Sequence, residues 1–328
     1  MYDLVTFGET MLCLVPPGYR RLEQATVLEV DVGGAELDTA VAAQRLGLRT
    51  AYVTRLPRNP LGRFIANKAR EHGVDTSYII WTDEGRVGLH FVEMGASPRA
   101  SEVLYDRRDS TMAKISPGEI NWSRIFKETR AFHITGITPA LSPSAAEATK
   151  EAVYQAKDHR VLVSIDLNYR AKLWSTEEAR RVMSDLVSRA DILITTEEDA
   201  ERVFGVKESS YEKAAERLNK MFPNLQAVAI TIRETPSVWR NTWTAIAYSN
   251  GEIIKGPVFD IEVVGRLGAG DAFAGGFLYG YLTKDVKTGL NYGVAISALK
   301  QTHPSPLAWV TKDECDNLLK GVQLRIAR

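Results

Sequence analysis

The residues best placed for chemistry are Gly268, Ala269, Gly270 and Asp271, inside the stretch Val263-Val264-Gly265-Arg266-Leu267-Gly268-Ala269-Gly270-Asp271-Ala272-Phe273-Ala274-Gly275-Gly276. A strand ends here, small residues follow, and a helix is predicted to begin at about Asp271. With no bulky side chain at 268–270, a ligand can approach the backbone amides closely. Free N–H groups at a helix start, helped by the helix dipole, attract anions. A phosphoryl group in transfer suits such a site, and a neighbouring carboxylate can take the proton of an attacking hydroxyl. No Gly-x-x-x-x-Gly-Lys-Ser/Thr occurs, so this is not a Walker A loop. The third glycine of a dinucleotide fingerprint would fall on Phe273, which excludes that reading too. Taken alone, the tetrapeptide fits a simple helix cap after a Gly-rich turn equally well.

A second pair of glycines lies in Asp31-Val32-Gly33-Gly34-Ala35-Glu36-Leu37-Asp38-Thr39-Ala40. Here again a strand enters a helix through small residues. Backbone amides and Asp38, one turn in, would suit recognition of sugar hydroxyls. An ordinary strand-to-helix turn explains Gly33-Gly34 as well.

The elements that must hold these loops can be read from the apolar pattern. Leu4–Phe7, Ala51–Thr54, Ala131–Thr135, Val161–Ile165, Ile192–Thr195 and Val228–Ile232 read as largely buried strands. Between them run helical patterns such as Ala35–Leu46, stopped by Gly47, and Pro60–His72, stopped by Gly73. Such alternation predicts an α/β fold with a mostly parallel sheet covered by helices on both faces. Met11–Val32 and Gly88–Tyr105 break the alternation, with strand-like segments at Val87–Glu93 and Glu102–Tyr105. These could pair into a small antiparallel sheet apart from the main one. Trp243–Lys255 reads as a hairpin around Asn250-Gly251.

Composition narrows the field. The chain has 328 residues, 45% hydrophobic, which is ample for a well-buried core. Lys+Arg and Asp+Glu both number 41, so no basic excess marks a nucleic-acid binder. An anionic ligand must then be held by a few placed groups. Cys13 and Cys315 lie far apart and match no metal-ligand spacing, so both are expected to be reduced and incidental. No leader-like segment or bilayer-length apolar run is evident, which predicts a cytoplasmic protein without membrane contact. Repeats and long polar linkers are also absent, and a single folding unit over 1–328 is expected.

With both glycine motifs in hand, the whole chain resembles the ribokinase-type (PfkB) carbohydrate kinases. Within that family it is most similar to the 2-keto-3-deoxygluconate kinases. Tyr105-Asp106-Arg107, His133–Pro139, Asp166-Leu167-Asn168-Tyr169-Arg170, Arg55–Gly62, Arg233-Glu234 and Arg266 carry that likeness. The resemblance implies a ribokinase-like three-layer α/β/α sandwich with a small β-sheet lid, formed by about 11–32 plus 87–110. It further implies ATP and Mg²⁺ as cosubstrate and cofactor, with the terminal hydroxyl of a sugar acid as acceptor. Asp271 would be the general base, with Gly268, Ala269 and Gly270 as the anion hole. Gly34, Asp38, His90, Tyr105, Arg107 and Arg170 would bind substrate. Asn168, Thr231 and Arg233 would lie at the nucleotide, and Glu197 and Asp199 are candidates to reach Mg²⁺ through water. Two arginines in these settings, Arg107 and Arg170, favour an acid over a neutral sugar, because a guanidinium matches a carboxylate. A projecting sheet with an apolar face suggests a homodimer or higher homo-oligomer.

Some positions depart from the family pattern. Asp38 and His90 replace an Asn and a Tyr, Thr196 replaces an Asn, and Gly265 replaces an Asp. The last change weighs against a monovalent-cation site. Gln301-Thr302-His303-Pro304-Ser305-Pro306 stands where His-Thr-Ile-Pro-Gly-Asp is typical. Because the base and the anion loop are intact, a kinase with an altered acceptor is expected. A kinase for a neutral ketose or nucleoside, or a weakly catalytic sugar- or nucleotide-binding paralogue, are the alternatives.

Overall fold

The structure is a computed structural model that describes residues 1–237 and 239–321. The chain opens with β1 (Tyr2–Phe7), then two strands of a separate sheet, β2 (Met11–Val15) and β3 (Glu29–Gly33). Helix α1 (Ala35–Leu46) returns to β4 (Thr50–Pro57), and α2 (Pro60–Glu71) leads to β5 (Ile79–Thr82). The separate sheet is completed by β6 (Leu89–Glu93) and β7 (Glu102–Asp106). Next come α3 (Trp122–Phe126), β8 (Thr129–Thr135), α4 (Ile137–Ala140) and α5 (Pro143–Asp158). Strand β9 (Leu162–Asp166), α6 (Thr176–Val187), β10 (Ile192–Thr196), α7 (Glu197–Phe204) and α8 (Tyr211–Met221) continue the alternation. Four strands follow: β11 (Ala227–Ser237), β12 (Arg240–Ser249), β13 (Glu252–Lys255) and β14 (Phe259–Glu262). Three helices close the described chain: α9 (Ala269–Thr283), α10 (Val286–Lys300) and α11 (Lys312–Leu319).

The main sheet has the order β13-β12-β11-β10-β9-β8-β1-β4-β5, with β14 against β12. Pairing is parallel from β5 to β11 and turns antiparallel at β12. The parallel strands are buried on both faces, which is why they read as continuous apolar runs. In β1, Val5 and Phe7 join the core beneath α3, α5 and α6, where Phe7 meets Trp122 edge-on at 5.2 Å. Leu4 joins the opposite layer, with Phe273 and Phe277 of α9. The predicted three-layer sandwich is observed, and so is a separate small sheet, ordered β3-β2-β6-β7. That sheet is mixed and not antiparallel throughout as expected, because β2 and β6, far apart in the chain, run parallel between two antiparallel pairs. Among the described residues no helix is long and apolar enough to cross a membrane.

Local signals worked as their chemistry dictates. Gly47 ends α1 in the left-handed conformation (φ 114°), and Asn250-Gly251 turns β12 into β13 with both φ positive. Several boundaries differ, two of them in the segments that carry the glycine loop and the small sheet. The helix expected at about Asp271 starts at Ala269 with Gly268 as its cap, because the small residues already adopt helical geometry. The strand expected from Val87 begins at Leu89.

The C-terminal ends of β1, β8, β9 and β10 meet along one edge, where α/β folds place ligands. One side chain ties this edge together. Glu36, in the first turn of α1, is wholly buried and accepts from Thr135 N (3.1 Å), Thr135 Oγ1 (2.7 Å) and Thr138 Oγ1 (2.8 Å). Its other carboxyl oxygen has no partner among the described residues. Burial pushes its pKa up to about 7, although the threonine bonds oppose the shift. Between about pH 4.5 and 7 the native state therefore keeps a proton that the unfolded chain has lost, so stability falls as pH rises. A Glu36→Gln variant keeps the acceptor oxygen and cannot ionise. It is expected to lose that slope and to gain up to about 3 kcal/mol over the parent at pH 8, read from urea denaturation across pH 5–8.

Candidate active site

Gly268 caps α9 at φ 77°, and a Cβ there would lie 2.1 Å from Pro306 O, so neither the conformation nor the space admits a side chain. Among the described residues the amides of Gly268 and Gly270 find no protein acceptor, and Ala269 N has only a long contact to Arg266 O at 3.4 Å. Asp271 follows in the first helical turn, its carboxyl 3.4 Å from Asn168 Nδ2. Burial raises the Asp271 pKa, while the positive charges of Arg170 and Lys300 pull it down. Asn168 is itself held at φ 37° and donates its N–H to Asp166 Oδ1 at 3.0 Å. A non-glycine residue in that region carries strain, and such strain gathers at functional sites.

Two cavities meet at this loop. The first, about 100 Å³, is lined by Glu9, Gly34, Asp38, His90, Tyr105 and Arg107. The second, about 400 Å³, is lined by Asp166, Asn168, Glu197, Asp199, Thr231 and Arg233. Arg170, Leu267, Gly268 and Asp271 line both. A carboxylate and open amides thus stand at the junction of two chambers, as transfer of a group between two bound molecules requires.

The sequence profile of the pfkB family carbohydrate kinases matches residues 1–311. The chain belongs to that family. It is 38% identical to the 2-dehydro-3-deoxygalactonokinase of Haloferax volcanii, over 99% of both chains. The crystal structure of 2-dehydro-3-deoxygluconokinase from Thermotoga maritima superposes with a TM-score of 0.94 at 38% identity, covering 98% of this chain and 99% of that one. A protein of E. coli described as a ribokinase II, solved in complex with ATP and Mg²⁺, shares the fold with a TM-score of 0.85 at 21% identity, covering 98% and 100%.

This PfkB kinase brings together every site residue expected from its sequence, though not always in the expected state. Asp38 is buried beneath the first chamber and accepts from Gly34 N at 3.2 Å. Its pKa stands well above the ordinary value, through burial and the charge of Asp271. Buried His90 faces Tyr105 across β6 and β7 and is pushed down to about 4 by burial and by Arg107, so it is neutral at pH 7. Arg170 is exposed, among the described residues bonds only its neighbour Tyr169 O at 3.1 Å, and faces both chambers. On the other side, Thr196 caps α7 by accepting from Asp199 N, and Asp199 accepts from Tyr169 N at 3.3 Å. Thr231 lies beside Thr196 in register, and Arg233 follows on β11. No cluster of three metal-binding side chains exists among the described residues. Asp166, Glu197 and Asp199 nonetheless fit a hydrated Mg²⁺, which keeps its waters and takes few protein ligands. Asp166 and Asp199 both have raised pKa values, from burial first.

The departure at Gly265 has a steric cause. A Cβ there would lie 2.4 Å from His303 O, so an Asp is incompatible with the turn through His303-Pro304. Cys13 and Cys315 are buried and free, as expected.

Glu9 and Lys300 escaped the sequence reading. Arg107 was expected to be available to substrate, but its Nε donates to Glu9 Oε2 at 2.8 Å and its Nη2 to the same oxygen, while Ser110 Oγ donates to Oε1. Both partners of this ion pair are buried. The one signal for Glu9 was its place just past the end of β1. Arg107→Ala would leave Glu9 charged and unpaired, a loss of about 3–5 kcal/mol. The Glu9→Ala, Arg107→Ala double variant is expected to be the more stable of the two in urea denaturation at pH 7.

Proposed function

We propose that this kinase transfers the γ-phosphoryl group of ATP to the terminal hydroxyl of 2-keto-3-deoxygluconate or a close sugar acid. The observation that carries the reading is Asp271 at the junction of the two chambers. The names of the two 38%-identical relatives support a keto-deoxy acid as acceptor. The E. coli relative with ATP and Mg²⁺ supports the donor and its ion. Acceptor and donor would occupy the smaller and larger chambers. Asp271 would take the hydroxyl proton, and the amides of Gly268, Ala269 and Gly270 would meet the charge that spreads over the phosphoryl oxygens. Mg²⁺, when bound with the nucleotide, neutralises phosphate charge. Asn168, Thr231 and Arg233 would hold the nucleotide.

Arg170 would receive the acid's carboxylate. It is the better placed of the two arginines, since Glu9 already neutralises Arg107. Arg107 would instead set the floor on which Tyr105 and His90 meet the sugar. Burial raises the Asp38 pKa, and in its protonated form Asp38 would both donate and accept, as an amide does. The small sheet would act as a lid. At about 100 Å³ the acceptor chamber is small for a six-carbon acid, so the sheet would open to admit it and close to exclude water. Val30 and Leu104 are exposed on that sheet, which supports a homodimer built across it. Light scattering would measure that state.

Asp271→Asn removes the proton acceptor with little change of shape. It is expected to lower kcat by about 10²–10⁴-fold while leaving ATP binding within about threefold, measured by a coupled assay and calorimetry. Arg170→Ala is expected to raise KM for 2-keto-3-deoxygluconate by about 10–100-fold. A neutral ketose would be unaffected by that change. Equal turnover of acid and ketose by the parent enzyme would instead favour the neutral-sugar reading.

A further inference from the structure

Lys300 is wholly buried, an unusual state for an ammonium group. It ends α10, and its Nζ donates to Gly265 O at 2.9 Å, just before the phosphoryl loop. Ser297, one turn earlier, donates from Oγ to Ala269 O at 2.7 Å. Gln301 O accepts from Val264 N at 2.8 Å and Gly265 N at 3.1 Å. The end of α10 therefore grips the loop from behind at residues 264, 265 and 269. Among the described residues Gly265 O is the one acceptor within reach of the ammonium. The titratable groups that face it are Asp38 of α1, Asp271 of α9, Asp31 of β3 and the Cys13 thiol of β2, which burial keeps uncharged at neutral pH. His303, beyond the helix end, feels its charge in turn. An apolar side chain would fill the same volume without the cost of burying a charge. A fixed cation, however, does two things that an apolar group cannot.

We propose that Lys300 is a positioning residue of the transfer site, an internal cation that fixes the Gly265 carbonyl behind the anion loop and keeps Asp271 ionised. The proposal rests on the reading of Asp271 as the base. Its charge pulls the Asp271 carboxyl down against the effect of burial, which favours a free carboxylate for the acceptor hydroxyl. Burial lowers the Lys300 pKa to about 8, so the cation is present at neutral pH and is lost as pH rises.

The test uses the full chain with ATP, Mg²⁺ and 2-keto-3-deoxygluconate. Lys300→Met is expected to lower kcat at least 30-fold while both KM values change less than threefold. Removing the positive charge raises the Asp271 pKa, so the acid limb of the kcat–pH profile should move to higher pH. Methylammonium should restore at least fivefold of the lost rate to Lys300→Ala, and tetramethylammonium should not. A kcat for Lys300→Met within threefold of the parent, or a lower rate with an unmoved acid limb, overturns the proposal. If both variants fail to fold, the parent decides: its kcat should fall between pH 8 and 10, and a flat profile there refutes the role. Asp271→Asn serves as the control. Should that variant stay active, the base reading itself is wrong; should it be dead while Lys300→Met is normal, only the Lys300 role is wrong.

Discussion

A base that works beside phosphate must stay negative in a place already crowded with negative charge. In its proposed role Asp271 faces this problem before any ligand arrives, because Asp38 and Asp166 are buried nearby and each feels its field. Left alone, such a group takes up a proton and ceases to be a base. The surroundings offset this with positive ends and positive groups. The N-terminus of α9 points at the site, Arg170 spans both chambers, and Lys300 stands behind the loop. The neutral His90 adds no charge of its own on the acceptor side. The balance between burial and these positive groups is therefore the condition on which the site's other features depend.

The fold exists to bring these groups to one edge. Each of β1, β8, β9 and β10 is held in register by its neighbours: Thr135 pairs with Asp166, Asp166 with Ile194 two residues before Thr196, and Glu9 follows just past the end of β1. Helices α1 and α9 then start from that edge, linked where Thr39 Oγ1 donates to Asp271 O at 3.2 Å. Glu36 binds the start of α1 to the end of β8. Displacing either helix start would move amides and carboxylate together. The site is thus positioned by strand ends and helix starts, which are stiffer supports than free loops.

Much of this was legible in the residues. Buried parallel strands show as apolar runs because both faces lack solvent, and Gly47 marks a helix end because it supplies a positive φ. The small residues at 268–270 pointed to open backbone amides, and the amides of Gly268 and Gly270 have no protein acceptor among the described residues. What stayed hidden depends on distance along the chain. Glu9 and Arg107 are 98 positions apart, and no local pattern reveals that their charges cancel. Lys300 looks like any lysine in the last turn of a helix, where a cation suits the dipole. Only packing shows that its ammonium turns inward to Gly265. The start of α9 was placed two residues late, because capping by an αL glycine leaves no side-chain signal.

The departures from the family pattern are linked through space. Gly265 has no room for a side chain because the backbone at His303 and Pro304 presses on it, and Pro306 O presses likewise on Gly268. The turn at 303–306 and the glycines at 265 and 268 therefore constrain one another, and the loop keeps its shape without an acidic residue at 265. Ser305 closes the same turn by donating to Asp31 Oδ2 at 2.7 Å, which anchors it to β3 beside Gly33-Gly34. An acid at 265 would also have put another negative charge beside Lys300, competing with Asp38 and Asp271 for its field. With glycine there, the backbone carbonyl takes the hydrogen bond while the carboxyls at 38 and 271 keep the field. Residues 265, 268 and 303–306 are thus packed as one unit behind the loop, and a change at any of them is felt by the others.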